Sequence, residues 1–104
     1  MLITEAFPQF ANELEQSLRE QGELELAAQV PTLRVVDRCR CGDGFCSSFY
    51  TRPKPEGKYG PDHRCIDLHA AKGMLILDVV AGIIAHVEVL NRGDIREVLI
   101  AAFP

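Results

Sequence analysis

The chain has 104 residues, of which 47% are hydrophobic and 25% charged. That is enough for one domain with one core, and it is not the composition of a disordered segment. A formal charge of −4 argues against nucleic acid as a general partner, because phosphate binding needs clustered, unopposed lysines and arginines. The balance is uneven: residues 1–29 carry six acids against one base, whereas residues 30–72 carry eight bases against five acids. Arg34, Arg38, Arg40, Arg52, Lys54 and Lys58 fall in that basic middle part and are read as a solvated strand face and loop.

The N-terminal residues lack the basic start and apolar block of a secretory signal. The longest apolar run, Val79 to Ala85, is far shorter than the roughly 20 residues of a membrane helix. A cytoplasmic protein with no membrane partner is therefore expected. There thiols stay reduced, and four cysteines do not by themselves make a disulfide framework.

Phe7, Phe10, Ala11, Leu14 and Leu18 recur at helical spacing and predict an amphipathic helix from Thr4, as N-cap, to Gln21, stopped by Gly22. Pro8 is tolerated there because it falls in the first turn. Glu23 to Gln29 reads as a second, short helix closed by Pro31. From Leu33 the period changes to two and β-branched and aromatic residues take over. Five strands are expected: Leu33–Cys39, Phe45–Thr51, Arg64–Ala70, Met74–Val80 and Ile83–Leu90. The Pro- and Gly-rich stretch TRPKPEGKYGPDH is a surface loop between the second and third. Asp94 and Glu97 form a capping-box signature ahead of a final helix with Ile95, Val98 and Leu99 on its apolar stripe. The fold class is α+β: a five-stranded antiparallel meander with the N-terminal and C-terminal helices on one face. Its core is expected to hold Phe7, Phe10, Leu14, Leu18, Val35, Phe49, Ile66, Leu68, Leu75, Leu77, Val87, Val89, Val98 and Leu99.

Register decides which chemistry meets. In the last hairpin, a three-residue Val80-Ala81-Gly82 loop pairs Val79 with Ile83 and leaves Asp78, His86 and Glu88 together on the outer face. A two-residue Ala81-Gly82 turn would place Asp78 on the side of Ile83, Ala85 and Val87, burying a carboxylate. In the segment RCRCGDGFC, two-residue turns put Cys39, Cys41 and Cys46 on one face. A three-residue Gly42-Asp43-Gly44 loop instead pairs Cys41 with Phe45, makes Cys39 and Cys41 core-side thiols, and points Cys46 outward with Ser48 and Tyr50. The latter sorts apolar from charged residues better and is preferred, although it leaves Asp37 on the core side.

Three chemistries then compete. Four thiolates, Cys39, Cys41, Cys46 and Cys65, could close a zinc site. The C-x-C and C-x₄-C spacings are not paired C-x₂-C knuckles, however, and same-face neighbours on a strand stand about 6.5 Å apart. His63 is a replacement ligand. If the second and third strands pair, Cys46 meets His69 with Asp67 nearby, the parts of a thiol nucleophile. His86 with Glu88 and Asp78 has the parts of a proton relay or weak divalent-ion site, equally the look of a salt-bridged sheet surface. The ranking places first a non-catalytic module that binds a protein partner, or itself as a homodimer, through the open sheet face of Tyr50, Met74, Ile76, Ile84, His86 and Glu88, with no cofactor. A thiol enzyme and a zinc protein are the alternatives.

The segments RCRCGDGFCSSFYT and GMLILDVVAGIIAHVEVL resemble those of a group of small bacterial proteins of uncharacterised function. The resemblance covers roughly positions 33 to 52 and 73 to 92 and implies no activity, cofactor or catalytic residue. Ala81 stands where such a hairpin would be expected to carry Asp before Gly.

Overall fold

The computed structural model describes residues 1–70 and 73–104. The elements are α1 (Ile3–Ala6), α2 (Pro8–Glu20), α3 (Leu24–Ala27), a single 3₁₀ turn at Val30–Thr32, β1 (Asp37–Arg38), β2 (Phe49–Tyr50), β3 (His63–Asp67), β4 (Met74–Val80), β5 (Ile83–Leu90) and α4 (Gly93–Ala102). The α+β class, the five antiparallel strands and the helices at both termini are as expected. Among the described residues no helix is long and apolar enough to cross a membrane.

The N-terminal helix is broken rather than continuous. Phe7 leaves the helical region at φ −138°, as the residue before a proline tends to do, and Pro8 restarts the chain at the first position of α2. Thr4 consequently lies inside α1 and caps nothing. The capping box of Asp94 and Glu97 also fails to form, since the cap position of α4 is Arg92. Its guanidinium instead lies 5.4 Å from the ring centre of Phe10 and 3.0 Å from the Glu13 carboxylate, tying α4 to α2.

The strand order is β1-β2-β5-β4-β3. Sequential neighbours pair within β1-β2 and within β3-β4-β5, as a meander requires, but β2 lies against β5 and not against β3. The arrangement places the two longest and most apolar strands in the centre and leaves short ones at the edges, where unpaired backbone is least hazardous. The expected first strand is divided: Val35 N–H bonds Met1 O and Ile3 N–H bonds Leu33 O, so only Asp37–Arg38 joins the sheet.

The β4–β5 turn is the two-residue Ala81-Gly82, with both residues at positive φ (50° and 78°) and Val80 opposite Ile83. The three-residue loop expected from the sequence does not form. A bulge makes the short turn compatible with the pattern: Val79 faces Ile84, Ala85 is the extra residue, and Asp78 faces His86. The Ala85 carbonyl accepts N–H bonds from Thr51 and Arg52, so the irregularity is also where β2 is held to β5. Asp78 and His86 stay on the outer face as expected, but Ile84 turns into the core at 0% exposure and leaves the proposed binding face. The core unites Phe7, Phe10, Leu14 and Leu18 of the N-terminal helices with Phe49, Leu75, Leu77, Val87, Ile95 and Leu99. Every expected core residue is buried except Val98, which is half-buried against it.

Candidate metal centre

β1 ends at Arg38, and the chain leaves the ladder after Cys39, whose N–H bonds Ser48 O at 2.9 Å. Gly42 takes a left-handed φ of 84° and Cys46 N–H closes a turn on Asp43 O at 3.1 Å. The returning chain is fixed on the other side, because Ser47 N–H bonds Val89 O and Asn91 N–H bonds Phe45 O. The opposition of Asp37 and Tyr50 places Asp37, Cys39 and Tyr50 on the outer face of the sheet. The Sγ atoms of Cys39, Cys41 and Cys46 come within 4.8 Å of one another.

This reverses the preferred register. Cys39 and Cys41 are not core-side thiols, and Phe45 is not a core residue but 52% exposed. The same change resolves Asp37, which on the outer face accepts N–H bonds from its neighbour Arg38 (2.8 Å) and from the Arg40 side chain (2.9 Å). The 6.5 Å objection to zinc does not hold for Cys41, since it sits in the loop and its thiol is free to turn towards the other two.

Burial, with the neighbouring thiols of Cys41 and Cys46, pushes Cys39 up to about 11. Burial also pushes Cys46 up, but hydrogen bonds from Ser48, Cys41 and Cys39 outweigh it and hold Cys46 below the usual thiol range. Such a cluster can share one negative charge through S–H bonds, and a thiophilic cation can displace its protons to solvent.

The thiol–imidazole pair expected from adjacent second and third strands does not assemble. Cys46 bridges to Leu90 of β5, and β4 lies between β5 and β3. Three strand spacings, roughly 14 Å, therefore separate it from the β3 side of the sheet, where His69 stands. Asp67 and His69 engage each other: the Asp67 carboxylate accepts His69 N–H at 2.8 Å, and His69 takes φ 49°.

Cys65 stands apart from the other thiols, in a different group. One row runs across the sheet through Asp37, Tyr50, His86, Asp78 and Cys65. Tyr50 lies over His86 with ring centres 4.5 Å apart. Asp78 Oδ1 lies 2.7 Å from His63 Nε2 and accepts from Cys65 Sγ at 3.3 Å, while Oδ2 lies 3.0 Å from His86 Nδ1. Burial raises the Asp78 pKa, yet the bonds from His63, Cys65 and His86 prevail and hold it below the ordinary carboxylate range. Met74, Ile76 and Glu88 share the outer face beside this row, Met74 exposed and the other two half-buried. The union of His63 with Asp78 was missed in the sequence, where the signal was the His-x-Cys alternation of β3 opposite Asp78.

No family model, curated protein or solved structure matches the chain.

Proposed function

We propose that the protein is a thiolate metal-binding module in which Cys39, Cys41 and Cys46 hold one zinc ion. The observation that carries this reading is the convergence of three Sγ atoms within 4.8 Å. Sulfur atoms on one tetrahedral zinc stand roughly 3.8 Å apart at bond lengths of about 2.3 Å, so small side-chain rotations suffice. Thiolate donors favour zinc and Cu(I) over hard cations. Three protein ligands leave a fourth position for water or for a donor atom of a bound molecule. The metal would tie Cys41 of the loop to Cys39 at the end of β1 and to Cys46 beside β5, and the exposed Phe45 next to it offers apolar surface to whatever approaches that position.

Metal analysis of protein purified without chelators tests this. Zinc should accompany the wild-type chain and Cys65→Ser, and the Cys41→Ser/Cys65→Ser chain should lose it. Cys41 is exposed, so its replacement leaves the core intact. A Cys65→Ser chain that refuses added zinc, or a Cys41→Ser/Cys65→Ser chain that binds it as tightly as Cys65→Ser does, contradicts the reading.

A further inference from the structure

We propose that His63 Nε2, Cys65 Sγ and Asp78 Oδ1 form a second divalent-metal site, of nitrogen, sulfur and oxygen donors, on the β3 edge of the same sheet face. The three atoms stand 2.7, 3.3 and 3.7 Å apart. One face of a tetrahedral zinc with N, O and S ligands has edges of roughly 3.3 to 3.6 Å, so the triangle needs only to open its shortest side as the His63–Asp78 hydrogen bond is exchanged for metal.

The backbone explains why donors from two strands converge. His63 and Cys65 share one face of β3 and Cys65 faces Asp78 of β4 directly. A cross-strand pair has Cβ atoms about 5 Å apart, closer than two same-face residues on one strand, and the longer imidazole reaches across to the pair. The other carboxylate oxygen meets His86 Nδ1, leaving Oδ1 to the metal. That is how ligating carboxylates are characteristically held. His86 is in turn fixed by the Tyr50 ring, with Nδ1 towards Asp78 Oδ2 and Nε2 buried without a hydrogen-bond partner among the described residues.

Charge and access agree. Among the described residues the Asp78 carboxylate has no Lys or Arg partner, since Arg64 turns away to bond both carboxylate oxygens of Glu23. Tyr59 of the Pro- and Gly-rich loop covers His63 at 4.7 Å between ring centres, shielding one side, while Cys65 remains exposed on the other. A divalent ion would enter from the Cys65 side, displace the thiol proton to solvent, shift the proton that His63 Nε2 shares with Asp78 to Nδ1 so that Nε2 can ligate, and leave one position for water. The three donors differ from the all-sulfur centre, so this site accepts borderline cations such as Zn²⁺ and Co²⁺ and takes up Cu(I) less readily.

The test is Co²⁺ titration of the Cys39→Ser/Cys41→Ser/Cys46→Ser chain, followed by the visible tetrahedral bands and the thiolate-to-cobalt charge-transfer band. One equivalent should bind with charge transfer from a single sulfur. Cys65→Ser in that background should abolish the charge transfer, and His63→Ala should weaken binding at least 100-fold. His86→Gln should weaken it about 10- to 100-fold with the sulfur band retained, as loss of a supporting partner does. The same assignment is read in the chain with all cysteines otherwise intact, loaded with two equivalents: Cys65→Ser should remove one equivalent and Cys41→Ser the other. Absence of Co²⁺ binding in the triple variant together with a single equivalent in the intact chain, or binding indifferent to His63→Ala and Cys65→Ser, would overturn the proposal. Its failure leaves the three-thiolate reading standing, because the two losses are scored on separate variants.

Discussion

Ser48 connects the sheet to the thiols. Its hydroxyl is buried and accepts Val89 N–H at 3.0 Å, and its one proton is shared between Val89 O at 3.3 Å and Cys46, whose thiolate it favours. Ser48→Ala should cost about 1–2 kcal/mol in denaturant unfolding and raise the Cys46 pKa, read as slower alkylation near neutral pH; unchanged values on both counts would mean the hydroxyl is incidental. Gly73 is the other sensitive position, with φ 73° and the Leu90 carbonyl where a Cβ would stand. Gly73→Ala should destabilise by about 2–4 kcal/mol, combining left-handed strain with a backbone clash.

The Arg64 side chain bonds Glu23 through both its Nη atoms and holds its carboxyl below the ordinary range. A depressed carboxylate contributes stability that is present above its unfolded pKa and lost as pH falls through the folded one. For an exposed pair that contribution is about 0.5 kcal/mol. Glu23→Gln should therefore flatten the acid limb of the stability curve slightly, with no change near neutral pH beyond that amount.

At the scale of elements, the β4–β5 hairpin records how a local choice and a global one are reconciled. The outward placement of Asp78 and His86 was legible, because an unpaired buried carboxylate is too costly to accept. The means were not: a two-residue turn plus a bulge reaches the same faces as a three-residue loop, and only the backbone distinguishes them, by sending Ile84 inward. Ala81 at φ 50° is the strained member of that turn. Ala81→Asn should raise stability by roughly 0.5–1 kcal/mol, since Asn-Gly is the preferred pair for positive φ at both positions; a loss would show that the turn is not of this type. The cysteine segment was less legible still. Its competing turns differ by one residue, which exchanges the two faces, and Phe45 looked like a core residue when it is the exposed flank of the loop. The pairing of β2 with β5 joins Phe49 to Val87, far apart in sequence, and no local pattern encodes it, so the expected meeting of Cys46 with His69 could not be checked from sequence.

For the molecule, the core itself was readable in advance because period and apolar size mark it: Phe10, Leu14 and Leu18 at helical spacing, Leu75, Leu77, Val87 and Val89 at strand spacing. Most of the outer face was readable too, with Tyr50, Met74, Ile76, Asp78, His86 and Glu88 all lying there; which of its groups meet across strands was not, since that is set by strand order. With the thiolate site filled at about 100 times its dissociation constant, zinc should add about 2.7 kcal/mol of stability. For a domain of this size that is a melting-temperature gain on the order of 10–20 °C, reversed by chelator and smaller in Cys41→Ser.

X-ray absorption at the zinc edge of the chain loaded with one equivalent reads the donors directly. Three sulfurs at about 2.3 Å and one lighter atom near 2.0 Å are expected if Cys39, Cys41 and Cys46 take the metal first. A shell with one sulfur or none would place the ion elsewhere and contradict the assignment of the cysteine cluster.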